Sequence, residues 1–186
     1  NAVRRAADGA LEGDQFDGEG FVRGLRRKGL AVEGARALVV GSGGVGSAIA
    51  ASLAASGVGA LTLFDVNTAS CEGLAGRLRT HFPAVEVHTG SRDPAGQQLV
   101  VNATPMGMHE GDPLPVDVDR LAPGALVGQV VVNTPMKALL PGPEARGGPV
   151  PIRTDMLFEQ IPAYLEYFGY PTTTANELRA RAQIRY

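Results

Sequence analysis

Cysteine pairs, histidine clusters and long apolar runs are missing from this sequence, and each absence excludes a class of protein. Cys71 is the only cysteine among 186 residues, so no intrachain disulfide can form and no metal site can be built from thiolates. The histidines His81, His88 and His109 do not have the spacing of metal ligands. No apolar run approaches the roughly 20 residues that a membrane-spanning helix needs. We therefore expect no metal site and no membrane partner.

An excess of positive charge is also missing. The formal net charge is −2, which gives no global field that would attract nucleic acid or an anionic membrane. A local basic cluster of Arg23, Arg26, Arg27 and Lys28 lies on the polar side of a predicted helix, and we interpret it as a solvated face. No signal peptide opens the sequence, which predicts a cytoplasmic location. The first residue is Asn1 rather than Met, and we expect chain upstream of it.

Glycine, by contrast, is abundant, with 25 residues, and its most informative cluster follows a short apolar run. Residues 37–40 suit a strand buried on both faces, and the Ala-rich stretch after the glycines suits a helix. Between them the sequence has the pattern G-x-G-x-x-G, in which backbone amides at a helix N-terminus receive a pyrophosphate. A tight turn without a ligand is the alternative. The predicted dinucleotide contacts are Gly41, Ser42, Gly43, Gly44, Val45 and Gly46.

Two further strand ends supply candidate contacts. The apolar run 60–64 ends in Asp65, at the separation from the glycines where an acidic residue receives ribose hydroxyls, and Val66 follows it. The run 98–102 leads into a loop with Thr104, Pro105 and Met106. Loops at the carboxyl ends of parallel strands line the ligand crevice, so this loop is expected to flank the cofactor. A purely structural connection is the alternative.

Short apolar runs alternate with helical patterns along most of the chain. Residues 1–16 are predicted to be extended pieces that turn at Asp8–Gly9, and a helix is predicted over 18–28. A later helix over 155–169 is interrupted at Pro162, and a capping box at Thr174 begins a last one. The predicted strands are 36–40, 60–65, 84–89, 98–102, 125–132 and 150–153, with helices 45–56 and 68–80 between them. This order is typical of an α/β protein with a doubly wound parallel sheet of the Rossmann type.

Three sets of residues then match one family in order. Asn1–Val3 and Asp14–Phe21 look like an N-T-[VIL] and N-T-D-G-x-G-F pair, Gly41–Gly46 looks like a glycine loop, and Asn102–Met108 looks like N-A-T-x-x-G-M. Together they resemble the NAD(P)-binding half of the shikimate/quinate dehydrogenase family. The combination is specific although each motif alone is not, and it covers nearly the whole chain.

The resemblance implies an enzyme that exchanges a hydride between nicotinamide and a ring hydroxyl or ketone of a cyclic hydroxy acid. It implies that Asn1, Asp17 and Gln160 hold the substrate, and that Asp17 works beside a catalytic lysine of an N-terminal half outside this chain. Removing a hydride from an alcohol requires loss of the hydroxyl proton, which a lysine or carboxylate accepts. The alternative role for Asp17 is the N-cap of helix 18–28. The further cofactor contacts that it implies are Asn102, Ala103 and Val130.

The same resemblance predicts a division of the chain into three parts. Residues 1–20 are a remnant linking from the missing N-terminal substrate and catalytic domain, and 21–153 form the dinucleotide-binding domain. Residues 154–186 are helices that return to the substrate domain. A monomer and a homodimer are both left open.

Departures from the family pattern concern cofactor and substrate. Asp65–Val66–Asn67 stands where NADP-using members commonly have N-R-T. A carboxylate repels a 2′-phosphate, which predicts NAD rather than NADP, with Arg92 the only candidate to bind that phosphate. Phe16 replaces a threonine, Gln15 an asparagine, and Val132 stands where a tyrosine is frequent. We therefore expect a quinate-like or less usual substrate rather than shikimate. A non-catalytic NAD-binding sensor of the same descent is the alternative to an enzyme.

Overall fold

The computed structural model describes residues 1–106, 112–130 and 155–182, and seven strands, five α-helices and one 3-10 helix (Val118–Arg120) lie within them. The strands are β1 (Ala2–Arg5), β2 (Leu11–Asp14), β3 (Arg36–Val40), β4 (Ala60–Phe64), β5 (Glu86–Thr89), β6 (Leu99–Asn102) and β7 (Leu126–Gln129). The helices are α1 (Asp17–Arg27), α2 (Gly44–Ala55), α3 (Thr68–His81), α4 (Asp155–Tyr167) and α5 (Ala175–Arg181).

A five-stranded parallel sheet forms the centre of the fold, in the order β5-β4-β3-β6-β7. Within this sheet the chain enters at β3, runs outward through β4 to β5, and then returns to the other side of β3 at β6. The strand order therefore reverses between β3 and β6. Ligands of doubly wound sheets bind at this reversal, beyond the carboxyl ends of the strands. The predicted doubly wound α/β fold is confirmed.

The apolar run of β3 is continuous because both faces of this central strand are covered. Ala37 and Val39 belong to a large core cluster that the helices α1, α2 and α3 cover, whereas Leu38 and Val40 belong to a second cluster on the opposite face. All four residues are at most 1% exposed. Burial on both faces fixes the register of the strand relative to its neighbours, and it therefore fixes the position of the last residue, Val40, along the sheet.

Helix α1 is held between α2 and α4 by two glycines of the D-G-E-G-F motif. A Cβ atom at Gly18 would lie 2.2 Å from the carbonyl oxygen of Ala48 in α2, and one at Gly20 would lie 2.7 Å from the carbonyl oxygen of Met156 in α4. Only glycine permits such approaches. Helix α1 therefore joins the helix that follows the glycine loop to the helix that carries Gln160.

A two-stranded antiparallel sheet, β1–β2, precedes α1 and turns at Asp8–Gly9 as predicted, with Gly9 at φ +88. This hairpin is attached to α4 by Tyr167, whose hydroxyl donates to the carbonyl oxygen of Glu12 at 2.6 Å. The guanidinium of Arg4 lies 4.5 Å from the centre of the same ring. The first residues of the chain are thus packed beside the C-terminal helices.

Several local predictions can be compared with the observed helix ends. Phe16 occupies the N-cap position of α1, which begins at Asp17 and has no side-chain cap, so the alternative of Asp17 as the N-cap is wrong. The predicted boundary after residue 20 falls inside this helix. Thr174 forms the predicted capping box with Glu177 before α5. In the described part of the chain, no helix combines the length and the apolar character that a membrane crossing requires.

Candidate functional site

The register of the sheet brings three strand ends together. Val40 at the end of β3 pairs with Phe64 of β4 on one side and with Asn102 of β6 on the other. The residues that follow these strands, Gly41 and Asp65 among them, therefore leave the sheet at the same edge. These residues are far apart in the sequence, and they come together because the strands that precede them pair in parallel.

The glycine loop is shaped by two contacts that exclude a side chain. Gly41 has φ +106, and a Cβ there would lie 2.7 Å from the carbonyl oxygen of Ala103. A Cβ at Gly46 would lie 2.0 Å from the carbonyl oxygen of Gly41, so α2 begins directly against the loop. Gly43 is the N-cap of α2, no side chain caps this helix, and its first turn contains no acidic residue. Backbone amides at this helix end are therefore available to an anion.

Asp65 connects the end of β4 to the glycine loop. Its carboxylate accepts the amide of Ser42 at 2.5 Å through Oδ2 and the amide of Asn67 at 2.8 Å through Oδ1. Each carboxylate oxygen can accept a further hydrogen bond.

Behind the loop, burial raises the pKa of the Cys71 thiol, an effect that the neighbouring Ser42 hydroxyl only partly offsets. This cysteine therefore stays protonated near neutral pH and belongs to the core.

The side chain of Asn102, the last residue of β6, holds the loop that follows this strand by hydrogen bonds. Its side-chain oxygen accepts the Thr104 amide at 3.0 Å and the Thr104 hydroxyl at 2.7 Å, and its amide donates to the carbonyl oxygen of Met106 at 2.9 Å. The residue is 2% exposed. Its polar atoms are thus used within the loop, and it acts on the cleft by placing Thr104 to Met106.

These three strand ends enclose a cleft of about 300 Å³. Its lining residues are Gly41, Gly43, Phe64, Asp65, Val66, Ala103, Thr104, Pro105 and Met106. Phe64 is the one lining residue that was not predicted as a cofactor contact, although its place before Asp65 was a signal for it. The guanidinium of Arg92 lies 5.7 Å from the centre of the Phe64 ring. The predicted phosphate-binding candidate, Arg92, therefore packs on a residue that lines the cleft.

Other predicted cofactor contacts lie behind or beside the cleft. Ser42 is buried in the loop and Gly46 is buried in the first turn of α2. The amide of Val130 donates to the carbonyl oxygen of Asn102 at 3.1 Å. Gly107, Met108 and Val132 lie outside the described residues, as does the predicted strand 150–153. In the described residues no group of three or more His, Cys, Asp or Glu side chains converges as a metal site.

A second hollow, of about 670 Å³, lies between α2 and α3. Apolar residues such as Ala48, Ala51 and Leu78 line most of it, and Gln15 and the predicted contact Gly44 also line it. It is larger than the cleft at the strand ends, but neither Asp65 nor the loop after β6 borders it. The smaller cleft is therefore the candidate nucleotide site.

The residues expected to hold the substrate form a separate cluster. The side-chain amide of Gln160 in α4 donates to Asp17 Oδ1 at 2.9 Å, which joins residues 143 positions apart. Asn1 Oδ1 accepts the amide of Phe16 at 3.1 Å, one residue before Asp17. Gln160 is 5% exposed. The close approach at Gly20 is what brings the two helices near enough for this bond.

Tyr164 belongs to the same cluster and was missed by the sequence analysis. The amide of Gln160 also donates to the Tyr164 hydroxyl, at 2.5 Å. The ring of Tyr164 packs edge-on against Phe16, with centroids 5.0 Å apart. The available signal was the spacing of four residues from Gln160, which places both side chains on one face of a helix.

Comparisons with known proteins identify relatives of this chain. Residues 26–78, which contain β3, α2 and β4, match the ThiF family. The chain is 34% identical to shikimate dehydrogenase (NADP(+)) of Rhodospirillum rubrum over 97% of its own length and 66% of the relative. It is 28% identical to quinate dehydrogenase from Corynebacterium glutamicum in complex with NAD, with a TM-score of 0.77 and coverage of 96% and 65%. It is 25% identical to ligand-free 5-ketofructose reductase of Gluconobacter sp. strain CHM43, with a TM-score of 0.78 and coverage of 94% and 64%.

The chain spans only part of the proteins that it resembles. It covers 66%, 61% and 64% of three curated relatives, all named shikimate dehydrogenase (NADP(+)). The solved quinate dehydrogenase and 5-ketofructose reductase act on different compounds by name. The similarity therefore identifies the family and the fold, but it does not identify one substrate.

Proposed function

Because the chain belongs to the shikimate/quinate dehydrogenase family, we propose that it forms the NAD(P)-binding part of an oxidoreductase acting on a ring hydroxyl or ketone of a shikimate- or quinate-like hydroxy acid. One observation carries the proposal. Helix α1 places Asp17 against Gln160 of α4 while packing directly on α2, the helix that begins at the glycine loop. Helix α1 thus contacts both the helix that borders the proposed nucleotide cleft and the helix that carries Gln160 of the polar cluster.

The residues of the cleft fit a dinucleotide. Gly41 and Gly46 permit a turn that a Cβ would fill, and Cβ atoms at Gly43 and Gly44 would meet no atom within 4 Å, so space is open beside the first amides of α2. We assign the pyrophosphate to that space and the adenosine ribose to Asp65. Bound NAD(P) supplies the group that accepts or returns the hydride.

The finer choice between the two nucleotides depends on Asp65. Its two backbone partners leave lone pairs that can accept the ribose hydroxyls of NAD, whereas a 2′-phosphate would meet its negative charge. We therefore propose NAD as the preferred cofactor, although the curated relatives are named for NADP(+). Isothermal titration of the intact protein with both nucleotides tests this choice. Tighter binding of NADP⁺ than of NAD⁺ would show that Arg92 or another group outweighs Asp65.

Asp17 has the role of orienting the reacting hydroxyl. Its Oδ1 is held by Gln160, and its Oδ2 can accept a hydrogen bond from a substrate hydroxyl. Loss of a hydride from the carbon requires that the hydroxyl proton leave as well, and we assign its acceptor to a lysine beside Asp17, supplied by the portion of the relatives that this chain does not span. Residues 1–20 and the helices after 154 are proposed to face that portion.

The test of the function is turnover by the intact protein on a panel of ring hydroxy acids, including shikimate and quinate. Reduced nicotinamide should form with at least one of them. The variant Asp17→Asn should retain nucleotide binding and lose about 10²-fold or more in kcat, the scale of a lost acid–base partner. Nucleotide binding without turnover of any panel member would instead favour the NAD-binding sensor. The oligomeric state and a cytoplasmic location stay predictions.

A further inference from the structure

The hydrogen bonds around Gln160 leave one proton without an acceptor. A side-chain amide nitrogen carries two protons, and Gln160 Nε2 donates to Asp17 Oδ1 and to Tyr164 Oη. The Tyr164 hydroxyl is therefore an acceptor in this contact and still has its own proton to donate. Among the residues that the structure describes, none accepts that proton.

Two acceptors lie beside this donor. Asp17 Oδ2 and the side-chain oxygen of Gln160 have no partner within the described ranges of the chain. The carboxylate and the tyrosine hydroxyl are both bonded to the same nitrogen, so the donor and the acceptors belong to one small surface. A hydroxyl group suits that surface because it both accepts and donates a hydrogen bond.

The position of Tyr164 is fixed by packing rather than left to solvent. Its ring lies edge-on against Phe16, which is 5% exposed and whose amide is held by Asn1. Contacts thus run from Asn1 through Phe16, Tyr164 and Gln160 to Asp17, which follows Phe16 in the chain. A donor that is already held in place loses little conformational freedom when a ligand binds.

We propose that Tyr164 is a substrate-binding residue whose hydroxyl donates a hydrogen bond to a ring hydroxyl oxygen of the substrate, so that it selects a hydroxyl at this position. The inference rests on the proposed function, which places the substrate at Asp17 and Gln160. A substrate carboxylate is disfavoured here because Asp17 is negatively charged and shares the same amide. A hydroxyl can donate to Asp17 or Gln160 while it accepts from Tyr164.

The substitution Tyr164→Phe in the intact protein removes only the hydroxyl and keeps the ring against Phe16. KM for the substrate should rise about three- to tenfold, the loss expected for one neutral hydrogen bond. The value of kcat and the affinity for NAD(P) should stay within about twofold. The matched control is Tyr167→Phe, because Tyr167 also packs edge-on against Phe16 but already donates its hydroxyl to Glu12. Its KM should not change.

Analogues of the substrate that each lack one hydroxyl locate the contact. With one of them, wild type and Tyr164→Phe should have equal KM values, since the partner of the tyrosine is then absent. An equal rise of KM in the variant with every analogue would overturn the direct contact. An unchanged KM in Tyr164→Phe, while wild type turns over its substrate, would also overturn it and leave the proposed function standing. Absence of turnover by wild type would refute both.

Discussion

The nucleotide cleft and the Asp17–Gln160 cluster are built in opposite ways. The cleft is made largely of backbone. It contains the glycines Gly41, Gly43 and Gly46, and its loops follow neighbouring strands that end at the same edge of the sheet. The cluster is made of side chains from two helices, and its members Asp17 and Gln160 lie 143 positions apart in the chain. The cleft should therefore be damaged by adding atoms, and the cluster by removing polar atoms or by moving one helix. Each of the following changes tests one side of that difference.

The substitution Gly46→Ala should have the largest combined effect, because it lowers both the stability of the fold and the affinity for the nucleotide. The new Cβ would lie 2.0 Å from the carbonyl oxygen of Gly41, so the start of α2 must move away from the loop. We expect the free energy of unfolding to fall by about 1–3 kcal/mol, as in overpacked cores, and NAD(P) affinity to fall more than about tenfold, which is 1.4 kcal/mol. Urea unfolding and isothermal titration measure the two effects.

The control for this change is Gly76→Ala, since a Cβ at Gly76 in α3 would meet no atom within 4 Å. Alanine is the better helix former by about 0.5–1 kcal/mol, so this variant should be slightly more stable and bind the nucleotide normally. Wild-type nucleotide affinity in Gly46→Ala would contradict the assignment of the loop.

The substitution Gly20→Ala should damage the cluster and spare the cleft. A Cβ there would lie 2.7 Å from the carbonyl oxygen of Met156 and 2.8 Å from Gln160 Cβ, so α1 and α4 must separate. A displacement of about 1 Å in a catalytic arrangement can cost about 10²-fold in rate. We expect a loss of this size in kcat/KM, with NAD(P) affinity within about twofold of wild type. A parallel loss of nucleotide affinity would mean that the two sites are not separable in this way.

The substitution Gly43→Ala distinguishes ligand binding from folding within the cleft. Gly43 has φ −71 and ψ −170, which alanine adopts readily, and its Cβ would enter open space. Stability should fall by no more than about 1 kcal/mol, because alanine is a poorer N-cap than glycine. NAD(P) affinity should nevertheless fall about tenfold, since the methyl group occupies the space assigned to the pyrophosphate. Unchanged affinity would place the pyrophosphate elsewhere.

The contrast also explains which residues the sequence could predict. The glycine loop and Asp65 follow predicted strands, and parallel pairing then brings them to one edge, so local patterns were sufficient. Tyr164 was assigned to no site because its role depends on which face of α4 meets α1. The contact between the two helices depends on Gly20 of α1. The sequence of α4 alone does not show that this glycine packs against it. Phe64 was missed for a simpler reason, since it belongs to the apolar run 60–64 and only the two residues after that run, Asp65 and Val66, were predicted as contacts.

A surface ion pair beside the cleft should give the smallest effect. Arg120 donates to both oxygens of Asp93, at 2.9 and 2.7 Å, and lowers the pKa of this carboxyl to about 2. Asp93 follows Arg92, so the pair fixes the loop that carries Arg92 over Phe64. A lowered pKa stabilises the fold above the ordinary value of 3.8, and this contribution is lost as the pH falls through about 2.

The substitution Asp93→Asn should therefore be slightly less stable than wild type near neutral pH, and the two proteins should converge as the pH approaches about 2. Urea unfolding at several pH values measures the difference, and Arg120→Gln is the matched control from the other side of the pair. The effect on NAD(P) affinity should stay within about twofold, because neither partner lines the cleft. A stability difference that persists at about pH 2 would assign the effect to the loop backbone rather than to the carboxylate.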